Sequence, residues 1–262
     1  AFDFEWINKA LLHDGYKRTT SMFTGSDMAP VGPPAGAELA LLEPWRGKIP
    51  NAVFGPPYAP PITDGLGRPR TNLKHAATLL DGAGWTIKDG MRVNANGEPL
   101  QIGITIRRPS NEKIVLAYAR NLKRLGIKTS VRLVESAQFQ GMIDTYDFDM
   151  VFGFWGVTLS PGNEQQNYWG AQTSNQPGGR NWAGVADPAI DAMINALGTA
   201  RNRRELVAAA RALDRILMWN HYVMPLYHDP GQRLALWTRI ARPEAVPVYG
   251  LRLETLWSAE AK

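Results

Sequence analysis

Apolar positions along this chain recur with two spacings, and the changes between them outline its elements. In AFDFEWINKALL, Phe2, Trp6, Ile7, Ala10 and Leu11 fall close to one helical face, and TTSMF after it reads as extended. AELALLEPWR has room for one or two helical turns. LKHAATLLDGAGW is a helix with Asn72 as its cap and Gly82 and Gly84 as its stop. MRVNANGEPLQIGITI reads as a hairpin about Asn96-Gly97, with Leu100, Ile102, Ile104 and Ile106 alternating as a half-buried strand. NEKIVLAYARNLKRLG follows, capped by Ser110. It aligns Ile114, Tyr118, Leu122 and Leu125 on one face and ends at Gly126. KTSVRLV is then a strand, SAQFQGMIDT a helix and FDMVFGFW a strand. That strand–helix–strand–helix–strand order predicts an α/β layer with at least partly parallel pairing. Two further helices follow. One is capped by Asp187 with Pro188 in its first turn. The other has Asn202 and Glu205 at capping-box spacing and Leu206, Ala210, Leu213 and Leu217 as its buried stripe. VMPLYH and QRLALW read as strands, and an aromatic tail carries Trp257.

Residues 25–70 break both spacings, because proline and glycine exclude a long regular element there. Trp45, Phe54 and Tyr58 argue that this stretch is an ordered loop packed on a neighbour rather than a free linker. The chain starts directly on an apolar helix, with neither an initiator Met nor a signal peptide. The pattern leads us to expect a fragment or a processed chain whose first helix packs against sequence lying elsewhere.

Composition narrows the chemistry. There is no cysteine, so disulfides and thiolate metal sites are excluded. No apolar run reaches the ~18 residues of a membrane span. The net charge of +5 is spread along the chain. Its densest cluster is Arg201, Arg203 and Arg204, without the basic stripe and interleaved aromatics of a nucleic-acid footprint, so no nucleic-acid partner is expected. His13, His75, His221 and His228 show no metal-ligand spacing, and neither a P-loop, a G-x-S-x-G elbow nor a dinucleotide fingerprint is present. No cofactor is expected. Asp147, Asp149 and Glu164 are the acids available for a paired-carboxylate glycan hydrolase, and the Trp-rich loop beside them would serve equally as a carbohydrate platform.

The most informative stretch is GFWGVTLSPGNEQQNYWG. Trp155 closes an apolar strand where the loop begins, and ligands of open α/β layers gather at strand C-termini. Aromatic walls with neutral hydrogen-bonding groups suit holding a polar ligand. Packing of the loop on itself is the competing reading.

NLKHAATLLDGAGW, NLKRLGIKTSVRLVESAQFQ, YDFDMVFGFW and NWAGVADPAIDAMI, taken in order, resemble family-five extracellular solute-binding proteins of peptide- and nickel-type ABC importers. AFDFEWINKALL, YKRTTSMF, LALLEPWR and LSPGNEQQNYWG resemble the YejA-type subgroup. The resemblance implies the two-lobed type II periplasmic-binding-protein fold, with this chain as its C-terminal portion. Residues 1–74 would be part of the larger lobe and a Pro-rich hinge loop. Residues 75–222 would form the smaller α/β lobe, and residues 223–262 would return to the larger one. It also implies a non-enzymatic, periplasmic binder of oligopeptides or peptide-like solutes. Its expected partners are an inner-membrane ABC permease and a companion polypeptide carrying the N-terminal half. Ligand residues expected on this basis are Trp155, Thr158, Ser160, Asn163, Glu164, Gln165, Tyr168, Trp169 and Asn181. Many oligopeptide binders carry an aspartate for the ligand ammonium where this chain has Thr158, and Glu164 is the substitute within the loop.

Overall fold

The alternation that ends at Ile106 becomes the centre of a small parallel sheet. The computed structural model describes residues 1–231, 233–246 and 250–259. Its helices are α1 (Phe4–Leu11), α2 (Gly36–Leu42), α3 (Arg70–Gly82), α4 (Glu112–Arg124), α5 (Ser136–Thr145), α6 (Glu164–Trp169), α7 (Pro188–Gly198) and α8 (Arg203–Trp219). Its strands are β1 (Lys17–Arg18), β2 (Thr86–Lys88), β3 (Met91–Val93), β4 (Gln101–Ile106), β5 (Lys128–Leu133), β6 (Met150–Val151), β7 (Tyr227–His228), β8 (Ile240–Ala241) and β9 (Trp257–Ser258). β4 lies between β5 and β6 and is parallel to both. Helical crossovers α4 and α5 supply the connections that parallel strands require.

One core joins this sheet to α3 and α4 through Ile104, Ile106, Val115, Leu122 and Ile127. A larger one gathers Phe23, Met28, Leu42 and Val53 around Trp169, Ile190, Leu213 and Ile216. It therefore draws on both the first and the second of the three expected segments. Trp45 and Phe54 pack against this core and Tyr58 meets Trp219 edge-on, so the Pro-rich stretch is ordered as its aromatics foretold. The start of the chain already has a core of its own. Phe2, Phe4 and Ile7 are buried within this chain against Ile114, Leu226 and Tyr227.

Several local expectations give way to competing contacts. Asn72 lies inside α3, which starts after Pro69, and its amide donates to the Ile62 carbonyl. Ser110 makes no cap, since Pro109–Asn111 forms a 3-10 turn ahead of α4. The Asn96-Gly97 turn closes with a single bridge between Val93 and Pro99. β3 instead pairs with β2, while β4 takes its partners from the sheet. FDMVFGFW is regular only at β6, and its last residues run on unpaired. Gln232 lies outside the described residues, and Arg233–Trp237 form no strand. Trp257 of the aromatic tail is 53% exposed on β9. By contrast, Asp187 and Asn202 cap α7 and α8, each accepting a backbone N–H from the first turn. Gly126 has φ +82°, and a Cβ there would stand 3.1 Å from both the Arg92 nitrogen and the Gly90 carbonyl oxygen. No other residue fits that stop without displacing the β2–β3 turn.

Candidate functional site

Beyond Val151 the chain leaves the sheet but stays extended, and this stretch forms one wall of a cavity of about 780 Å³. Phe152 still donates its N–H to Thr105, whereas Gly153 to Val157 make no backbone hydrogen bond among the described residues. β6 is an edge strand, and Gly153–Trp155, which follow it and line the pocket, keep backbone groups without a backbone partner among the described residues. Trp155 is fixed there by its neighbours. Its ring lies 4.8 Å from that of Trp169 and 5.3 Å from that of Trp182, and its Nε1 donates to the Arg180 carbonyl at 3.1 Å. Gly153 is the residue that lets Trp182 close in, because a Cβ at Gly153 would fall 2.4 Å from the indole Cζ3.

The facing wall comes from two connecting stretches, Thr19–Met22 and His221–Tyr227, joined where β1 and β7 pair antiparallel. The first is held by a buried acid. Asp214 of α8 accepts from the Ser21 hydroxyl at 3.0 Å and from the Met22 N–H at 2.5 Å. Burial pushes the Asp214 carboxyl up to about 7, against the opposing pull of those two donors and of Arg215. The folded state therefore takes up a proton where the unfolded chain has none. The stability this group confers is complete below its ordinary value near 4 and is lost as pH rises through about 7. D214N keeps an oxygen acceptor for both donors and removes the titration. The thermal midpoint of the wild type is expected to fall relative to D214N between pH 5 and pH 8. Parallel midpoints across that range would refute the assignment.

Charge around the cavity is sparse. Asp149 is its carboxylate among the described lining residues, and its Oδ2 accepts the Gly103 N–H at 2.8 Å. No lysine or arginine is among its described lining residues. The rest is largely aromatic and aliphatic, including Phe152, Tyr118, Trp182, Tyr222 and Met224. Glu164 is not on this wall, so it and Asp149 do not face each other across the cavity as a hydrolytic pair would. No group of three or more His, Asp or Glu poised for a metal occurs among the described residues. No described helix is long and apolar enough to cross a membrane.

Of the ligand residues expected from sequence, Trp155 lines the cavity and the others do not. Thr158, Ser160 and Asn163 are exposed on the loop beyond it. Glu164 folds back, and both its oxygens accept the Gly162 N–H at 3.0 Å. Gln165, Tyr168 and Trp169 are buried. Asn181 is fully buried and saturated. Its Nδ2 donates to the Gly170 and Val185 carbonyls at 3.0 and 2.8 Å, and its Oδ1 accepts the Val185 N–H at 2.8 Å. The loop itself is tethered by Arg203, which binds the Asp27 carboxylate and the Leu159 carbonyl and holds Asp27 below the usual carboxylate range. The residues that sequence reasoning missed are Trp182, Phe152 and the His221–Tyr227 stretch. The glycine between two aromatics in Phe152-Gly153-Phe154 was the available sign of a close ring approach.

Comparison with known proteins returns a consistent picture. Residues 1–177 match the family described as bacterial extracellular solute-binding proteins, family 5 middle. A putative binding protein of Brucella melitensis is 47% identical over 98% of this chain. The probable peptide-binding protein YejA of Agrobacterium fabrum is 37% identical, also over 98%. This chain covers 42% of the length of each of these relatives. Among solved structures, the oligopeptide-binding protein AppA of Bacillus subtilis, in complex with a nonapeptide, superimposes with a TM-score of 0.67 over 98% of this chain and 45% of its own, at 17% identity. That likeness fixes the fold as the type II periplasmic-binding-protein kind.

Proposed function

The chain belongs to the family-5 bacterial extracellular solute-binding proteins, and from that premise we propose that it forms part of the periplasmic substrate-binding component of an ABC importer for oligopeptides or peptide-like solutes. The single observation that carries the ligand class is the unpaired backbone at Gly153–Trp155 bordering an aromatic cavity. An extended peptide can add to such a stretch by main-chain hydrogen bonds and place alternate side chains against Trp155 and Trp182. The Agrobacterium relative, a probable peptide-binding protein, points the same way. Residues 75–222 serve as the smaller lobe, with residues 1–74 and 223–262 reaching toward the larger one. The N-terminal part of the binding protein, as the rest of the same polypeptide or as a companion, closes the cavity from the other side, and the liganded form docks on an inner-membrane permease. Binding proceeds without turnover.

The test uses the full-length protein. Denaturing release followed by mass spectrometry identifies what copurifies, and thermal-shift screening against a peptide library should then raise the midpoint, since a ligand selective for the native state adds stability. Stabilisation by oligosaccharides or metal chelates with none by peptides would sink the peptide assignment.

Trp155 offers a sharper check. Trp155→Ala is expected to weaken the binding of the copurifying ligand about tenfold or more. The same change should cost about 1–2 kcal/mol of stability, because its ring contacts with Trp169 and Trp182 and its hydrogen bond to the Arg180 carbonyl are lost from a half-buried site. Unchanged affinity measured by calorimetry would remove Trp155 from the binding wall.

A further inference from the structure

Asp214 is a buried acid whose hydrogen bonds reach the cavity wall. It is 2% exposed on α8. The Ser21 hydroxyl and the Met22 N–H both donate to its Oδ1, and both of those residues line the cavity. Little else holds this part of the wall. Upstream, Thr19 donates its N–H to the Leu226 carbonyl, and downstream Phe23 enters the larger core. Between them, Thr20, Ser21 and Met22 donate no N–H to a backbone carbonyl among the described residues. The Ser21 hydroxyl in turn accepts the Phe23 N–H at 2.9 Å, so one carboxylate oxygen organises the chain from Ser21 to Phe23. The cations of α8 near Asp214 are engaged elsewhere. Arg215 is committed to the Glu38 carboxylate and to the Gly55 and Gly32 carbonyls, and Arg211 to the Asp27 carbonyl. The field of Glu38, from α2, opposes ionisation of Asp214, while that of Arg215 favours it. α7 packs Ile190, Met193 and Leu197 into the shared core, and its acids Asp187 and Asp191 accept the Ala189 and Ala171 N–H groups.

Resting on the peptide-binding reading above, we propose that Asp214 is a positioning residue for the ligand, which holds Ser21 and Met22 in the cavity wall and ties the affinity of the cavity to pH. The neutral acid accepts both donors and needs no cation. The carboxylate, buried without a cation of its own, gains by meeting water. The element able to give way is the wall, because α2, α7 and α8 are fixed in the larger core. A ligand packed on Ser21 and Met22 requires the held arrangement, so its apparent affinity scales with the fraction of protein in that arrangement. Burial raises the Asp214 carboxyl to about 7, so the held arrangement is complete below that value and recedes as pH rises through it. Affinity therefore falls as the medium turns alkaline.

Full-length wild type, D214N and D214A are titrated calorimetrically with alanine peptides of three to six residues between pH 6 and pH 8.5. The amino group of the peptide and His221 of the cavity also titrate near this range. D214N keeps the acceptor and removes the titration, so the ratio of wild-type to D214N affinity isolates Asp214. That ratio is expected to fall about fivefold or more across the range. At pH 6, D214A should bind more weakly than D214N, because both wall donors lose their acceptor. Hydrogen exchange in the wild type needs no variant. Protection of the Met22 N–H should fall over the same range, while that of Leu217 in the core of α8 should not. A ratio that stays constant with pH, or a Met22 protection that does, would overturn the role of Asp214 and leave peptide binding intact. Binding of none of these peptides by wild type at any pH would remove the peptide reading and this inference with it.

Discussion

Arg215→Ala is expected to cost the full-length protein about 3–5 kcal/mol, read as a lowered denaturant midpoint with an unchanged slope. Arg215 is 1% exposed on α8, and its Nε meets the Glu38 carboxylate at 2.5 Å. Its Nη1 donates to the Gly55 carbonyl at 3.0 Å and its Nη2 to the Gly32 carbonyl. One side chain thus ties α8 to three points of the Pro-rich stretch, at Gly32, Glu38 and Gly55. Truncation leaves Glu38 as an uncompensated buried charge and frees two carbonyls. R215M combined with E38L should recover the charge-burial part of the loss. It should not recover the two carbonyl bonds, worth about 1 kcal/mol each. A loss below about 1 kcal/mol in the single variant would show that the pair is incidental to the ordering of residues 25–70.

Much of the fold was legible because period and punctuation agreed. Asp187-Pro188 and Asn202 through Glu205 announced two helices, and Gly126 marked a stop that only glycine satisfies. Misreadings arose where a local signal met a stronger distant partner. The Asn96-Gly97 turn forms, yet β4 is a central strand whose two edges are already taken by β5 and β6. On α8 the adjacent Asp214 and Arg215 fall outside the stripe of Leu206, Ala210, Leu213 and Leu217. They are buried because α2, α7 and the Ser21–Met22 stretch enclose the helix on several sides, and nothing in a helical period reveals that enclosure. The site divided along the same line. Trp155 was visible as the end of an apolar run, which is a property of neighbouring residues. The fates of Gln165 and Asn181 were not, because an amide that binds ligand and an amide that saturates backbone groups have the same sequence signature.

Trp169 and Trp155 are the pair on which this distinction can be measured. Trp169 is 1% exposed at the end of α6 and shares the larger core with Ile190 and Leu213. Trp169→Ala is expected to remove about 3–5 kcal/mol, because a buried indole leaves a cavity that a core fixed by α7 and α8 cannot collapse to fill. Its ring supports Trp155 at 4.8 Å, so the folded fraction of the variant should also bind ligand more weakly, though less so than Trp155→Ala. The two variants should therefore cross, with stability lost mainly at Trp169 and affinity mainly at Trp155. Urea unfolding and calorimetric titration on the same preparations give both axes. The reverse crossing would place Trp169 on the ligand and return Trp155 to the core.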